Sequence, residues 1–183
     1  MILAAKALLL IGLAVWGATF IFASIESNYV AGSFMHLVNL PFHEAGHIIF
    51  SPLGSLIQAL GGTLGQLLMP AVCAAVLLLR TRDPFGAAAT QWWLGQSFMD
   101  IAPYINDARA LNLVLQGSVT GKDMADYHDW EFILRKLGML TWDHALANLA
   151  KLTGTVLMLA AIGWAAVHLW MHFKAWRAEA AGS

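Results

Sequence analysis

"LPFHEAGHIIF", residues 40–50, sets His43, Glu44 and His47 inside a run that is otherwise apolar. On a helix, residues four apart lie one above the other, so the two imidazoles would share one face with the glutamate beside them. The pattern is H-E-x-x-H, a two-histidine seat for a metal ion with a carboxylate at hand to act as general base. Seven histidines and four glutamates spread over a chain of 183 residues give only about 0.006 chance matches if positions are independent. Ionisable groups in a lipid-embedded helix cost about 2.5–3.5 kcal/mol each on insertion scales and mark function there. The competing reading is a polar patch that ties helices together by hydrogen bonds.

The surroundings of this stretch decide whether it lies in lipid. Hydrophobic residues make up 59% of the chain and charged residues 11%, a balance far more apolar than that of a soluble domain. Apolar runs cover residues 4–24, 31–50, 62–80, 86–106 and 150–172, each near the ~20 residues that carry a helix across a bilayer. The expectation is an all-α, polytopic membrane helix bundle of about five transmembrane helices, forming a single integral membrane domain over residues 1–183. The first run lacks a strong basic start and a clear small-x-small cleavage site, and reads as a retained span.

Between the second and third runs, "SPLGSLIQALGG" (51–62) carries Pro52, Gly54, Gly61 and Gly62, which signal a break, re-entrant or interfacial. "RTRDP" (80–84) is a tight polar turn. Residues 107–143 hold most of the charge and read as an extramembrane loop, within which "DWEFILRKLGML" (129–140) has the character of a short amphipathic helix at the interface. Arg80, Arg82, Lys174 and Arg177 fall on one side and Arg109, Lys122, Arg135 and Lys136 on the other, so the positive-inside count nearly balances; the shorter loops favour the first group as cytoplasmic.

Other function classes are disfavoured. The single cysteine, Cys73, precludes an intrachain disulfide and a cysteine-based zinc site, and its thiol reads as packing. A net charge of −1 and the lack of a glycine-rich phosphate loop leave no footprint for nucleic acid. His168 and His172 are one turn apart near a span end and read as interfacial histidines. Gln96, Ser97 and Asn106 would either wet the fourth span or bond neighbouring helices. Trp92 and Trp93 read as packing or lipid-facing residues.

Two histidines and a water leave a zinc site one protein ligand short. Candidates for the third are His36, seven residues before His43, Asp100, Asp107, His128 and Asp129. Because one span intervenes, the carboxyl end of the fourth span returns to the membrane face that H-E-x-x-H approaches, and Asp107 sits at that end. Asp100 lies about two turns deeper. Asp129 would serve as an ordinary helix N-cap.

Three segments, in order, carry a resemblance to the site-2 protease family of intramembrane zinc metalloproteases. "FHEAGHIIF" (42–50) resembles that family's H-E-x-x-H span. "GGTLGQLLMP" (61–70) is similar to its A-G-P-L-A-N type opening of the next span, with Gly62 and Gln66 at the small and amide positions. "DIAPYINDARAL" (100–111) is similar to its N-x-x-P...D-G-x-R segment. The likeness covers residues 33–112, the expected metalloprotease-like core.

The resemblance implies Zn2+ as cofactor, His43, His47 and Asp107 as its ligands, Glu44 as general base, and a membrane protein or peptide as substrate in the lipid bilayer. It also implies a multi-pass protein of the bacterial inner (cell) membrane. Asp100 stands where the family has asparagine, Ala108 where it has glycine, and the step from Pro103 to Asp107 is one residue short, which leaves Asp100 open as the ligand. There is no room for the family's strand-rich insert or an appended peptide-binding domain, so substrate selection would fall to the spans and the loop 107–143. The alternatives to a peptidase are a non-catalytic metal-binding membrane protein or partner subunit and a hydrolase of lipid-linked substrates.

Overall fold

The computed structural model describes residues 2–182. Among them the chain is helical, with six α-helices and no strand: α1 (Ile2–Phe22), α2 (Phe34–Phe50), α3 (Ser55–Leu79), α4 (Pro84–Asn106), α5 (Asp129–Lys136) and α6 (Asp143–Gly182). Of these, α1, α3 and the helical stretch ending in α6 are long and apolar enough to cross a membrane. Their outward residues, among them Leu8, Ile11 and Val15 of α1, Val72 and Leu79 of α3, and Leu152, Val156 and Leu159 of α6, are large, apolar and exposed. A surface of that kind is stable against acyl chains and not against water.

The second and fourth expected spans are also helices, α2 and α4, but both carry a polar side. α2 has 17 residues, about 25 Å of helix against a hydrocarbon core of about 30 Å. Its inward face holds His36, Asn39, His43 and His47, and the facing side of α4 holds Gln96, Ser97 and Asp100. Buried polar groups in a bundle need partners, and across this seam His36 bonds Asp100 while Asn39 bonds Gln96 and Asp100.

Close approach between helices rests on small residues. α4 and α6 meet where Gly95 faces Gly154; a Cβ on Gly154 would lie 2.5 Å from the Gly95 carbonyl oxygen. Beside that crossing Phe20, Trp92, Met99 and Met158 form the main apolar core, joining α1 to the pair. α2 and α3 interlock in the same way, with Gly46 against Gly61 and Gly65 backbone to backbone, so that any Cβ would strike the facing chain.

Residues 51–62 differ from the expected break. The interruption is confined to a single short turn, Ser51–Leu53, and to Gly54, whose φ of 93° and ψ of 164° lie in a region open essentially to glycine alone. From Ser55 onward the chain is already α3, so Gly61 and Gly62 are helix-packing residues and not breakers. The amphipathic segment is likewise helical as α5, but its apolar residues Phe132 and Ile133 pack on Leu56, Ala59 and Leu60 of α3. It docks on protein where an interfacial helix would lie on lipid.

Candidate metal centre

The α2–α3 crossing brings the H-E-x-x-H face directly over Gly62. A Cβ there would lie 2.5 Å from Nε2 of both His43 and His47, so the absence of a side chain leaves the space into which the two rings point. Each ring is oriented from behind. His43 Nδ1 lies 3.3 Å from Oε1 of Gln66, and His47 Nδ1 lies 2.8 Å from the carbonyl oxygen of Gln58. Both neighbours are acceptors, so a metal ion on the two Nε2 atoms would leave each Nδ1 as a donor to its partner. A histidine that ligates metal is held by this arrangement.

Both Nε2 atoms meet a carboxylate. Oδ2 of Asp129 lies 3.2 Å from Nε2 of His43 and 3.2 Å from Nε2 of His47, and one ligand atom from each of the three residues falls within 4.8 Å of the others. Tetrahedral zinc with arms of about 2.05 Å sets its ligand atoms about 3.3 Å apart, close to these separations. Three electron-rich atoms turned on one point repel unless a proton or cation stands between them, and a two-nitrogen, one-carboxylate set suits zinc. Burial alone would push the Asp129 carboxyl up, yet the two imidazoles hold it below the usual carboxylate range.

Asp129 is free for this role because it is not the cap of α5. His128 is: its Nδ1 accepts from the Glu131 N–H at 3.2 Å. Asp129 is the first residue of α5, and the Tyr104 hydroxyl accepts from its backbone N–H at 2.9 Å and donates to Oδ2 at 3.2 Å. The Trp130 indole N–H donates to Thr63 of α3 at 3.2 Å, pinning the same turn.

Asp107, expected as the third ligand, is placed otherwise. Its carboxylate accepts the backbone N–H groups of Asn112 and Leu113, each at 2.9 Å, and lies 3.5 Å from Nε2 of the buried His128. With one oxygen on each amide, it braces the connection that leaves α4 and does not join the two histidines. Burial raises its carboxyl, but His128 and the two amides draw it below the ordinary range. Among the described residues, His43, His47 and Asp129 form the cluster of three that could hold a metal. Asp129, one of the candidates for the third ligand, stands 86 residues from His43, and the docking of α5 on α3 delivers it.

The remaining candidates fall into place around this centre. Glu44 is exposed beside the histidines and accepts a hydrogen bond from Nε2 of Gln116 at 2.7 Å, while the Tyr127 hydroxyl donates to the Gln116 carbonyl at 2.9 Å. Glu44, His43, His47 and Asp129 open on a cavity of about 730 Å³, walled by α2, α3, α4 and residues 113–116. Asp100 and His36 form part of its wall as a hydrogen-bonded pair at 2.9 Å. Gln96 and Ser97 both bond Asn39, so they act between helices.

Compared with protein-family models, with curated proteins and with known structures, the chain finds no match. The chemistry of the site is therefore read from its own residues.

Proposed function

We propose that the chain is a multi-pass membrane zinc metallopeptidase of the bacterial cell membrane, with α1 to α4 and α6 as its spans, hydrolysing peptide bonds in or near the bilayer. His43, His47 and Asp129 would hold the ion. Bound there, zinc supplies a Lewis acid that polarises a water molecule and the substrate carbonyl. The reading is carried by one observation: the Nε2 atoms of two imidazoles, each anchored through Nδ1 to an acceptor behind it, converge at 3.2 Å on one oxygen of a carboxylate that Tyr104 holds in place.

Glu44 is the proton carrier in this reading. Its carboxylate stands on the same helix face as the ligands, takes the proton of the attacking water and returns it to the leaving amine. Gln116 donates to that carboxylate and keeps one oxygen oriented. The cavity, with apolar Leu40, Ile101 and Val114 beside the polar centre, suits a peptide whose helix has opened; a helical peptide bond is shielded by its own hydrogen bonds and must unwind before attack.

The test is Glu44→Gln in purified, detergent-solubilised protein with a transmembrane reporter substrate. Zinc should stay near one per chain while cleavage is lost. Cleavage at the wild-type rate refutes the assignment of Glu44, and wild-type protein that holds zinc but cuts no membrane peptide points to a non-catalytic metal-binding protein.

A further inference from the structure

Two helical turns before the metal centre, the cavity wall carries a polar group that the chemistry above does not use. His36 lines the cavity, and 33% of its side chain is exposed, against 3% for the Asp100 side chain that holds it. Nδ1 of His36 lies 2.9 Å from Oδ1 of Asp100, while Nε2 has no partner among the described residues. The ring meets protein on one edge and the cavity on the other. Asp100 is itself fixed: Oδ2 accepts from Asn39 Nδ2 at 2.9 Å and from Gln66 Nε2 at 2.8 Å. The Trp93 indole, which can only donate, fixes the Asn39 amide through its Oδ1 at 2.8 Å.

Three helices thus converge on one buried carboxylate, a group that is costly to insert in a bundle of this kind and marks function there. Of its partners, Asn39 is buried and Gln66 turns its oxygen toward His43; His36 is the one with a free edge in the cavity. Its distance from the chemistry follows from α2, on which His36, Leu40, His43 and His47 face the cavity from one side. At about 1.5 Å of rise per residue, His36 stands about 10 Å along the axis from His43 and about 16 Å from His47. A peptide laid extended in the cavity advances about 3.4 Å per residue. When one of its residues sits at the metal, the third or fourth residue along lies beside His36.

We infer that His36, held by Asp100, forms a substrate subsite that takes a hydroxyl or carboxamide side chain, that of Ser, Thr, Asn or Gln, three or four residues from the scissile bond. Such side chains both donate and accept, so they satisfy the free edge whichever nitrogen carries the ring proton. An apolar side chain would strand Nε2 without a partner. A carboxylate would lie close to Asp100, and among the described residues no Lys or Arg lines the cavity to offset it. The subsite rests on the metallopeptidase reading for the place of the cut, and the test separates the two.

The probe is a fluorescein-labelled transmembrane peptide of leucine and alanine that bears a single serine. Zinc-loaded Glu44→Gln protein in detergent should bind it, by anisotropy, about tenfold more tightly than the serine-free peptide, the order of a hydrogen bond whose loss strands a buried partner. Aspartate in place of serine should gain nothing. Adding His36→Phe should abolish the serine advantage, whereas a merely structural His36 would, when replaced, lower both affinities together and leave their ratio unchanged. With wild-type protein, mass spectrometry of the products should place the cut three or four residues from the serine and show it moving by one residue when the serine does. Equal affinity for the two peptides, a serine advantage that survives His36→Phe, or a cut that ignores the serine would overturn the inference. If wild type cuts neither peptide, the metallopeptidase reading falls, while the affinity comparison still decides this one.

Discussion

Replacing Gly62 by alanine puts the metal centre to its sharpest test. The added Cβ would lie 2.5 Å from Nε2 of both His43 and His47 and 2.7 Å from Cε1 of His47. Ordinary van der Waals contact needs about 3.5 Å or more, so about 1 Å must be found somewhere. Moving α3 away to make room would open the seam in which Gly61 and Gly65 pack against Gly46 and the Phe42 carbonyl of α2.

The rings must turn instead, and turning breaks the bonds of their Nδ1 atoms to Gln66 and Gln58 and destroys the convergence on Asp129. Metal–ligand distances tolerate about 0.2 Å, so a shift of this size takes at least one imidazole out of the coordination sphere. Zinc affinity should fall at least about a hundredfold, equivalent to about 2.8 kcal/mol. Competition titration against a chromophoric chelator measures it, with the unfolding midpoint of metal-free protein as control for the fold. A Gly62→Ala protein that binds zinc within about threefold of wild type would refute the placement of the two rings over this glycine.

Asp129→Asn should lose zinc by about a hundredfold, whereas Asp107→Asn should keep it; metal analysis giving the opposite order restores Asp107 as the ligand. Asp107 bears on acid stability as well. Its folded carboxyl titrates below the unfolded value of about 3.9, so its brace contributes fully above that value and is lost as pH falls through the lower folded one. Limited proteolysis within residues 108–128 should accelerate on acidification in wild type and depend less on pH in Asp107→Asn; parallel profiles count against the brace. Gly154→Ala, whose Cβ would press on the Gly95 carbonyl and the Met99 side chain, should cost about 1–3 kcal/mol, read as a lowered thermal midpoint. An unshifted midpoint would mean that α4 and α6 do not cross there.

Much of this protein is legible along the chain because its signals are local. Apolar runs of helical length announce helices, since a backbone in lipid must satisfy its own hydrogen bonds, and α1, α3 and α6 follow from that alone. His43, Glu44 and His47 are equally local, because a four-residue spacing on one helix fixes their shared face whatever the rest of the chain does. Residues 51–62 are less legible, since glycine reads as a breaker in isolation and as a packing surface once a second helix lies against it.

What the sequence could not decide is everything that depends on which surfaces meet. Asp107 and Asp129 are both acidic residues in a polar connection. They differ only because two backbone amides and His128 close around the first, while α5, docked on α3 and held by Tyr104, carries the second to the histidines. The direction of the Gln66 amide is likewise invisible in one dimension, being set by Asp100 from a neighbouring helix. Periodicity is encoded within a segment, but convergence of atoms 86 residues apart exists only after the helices have packed.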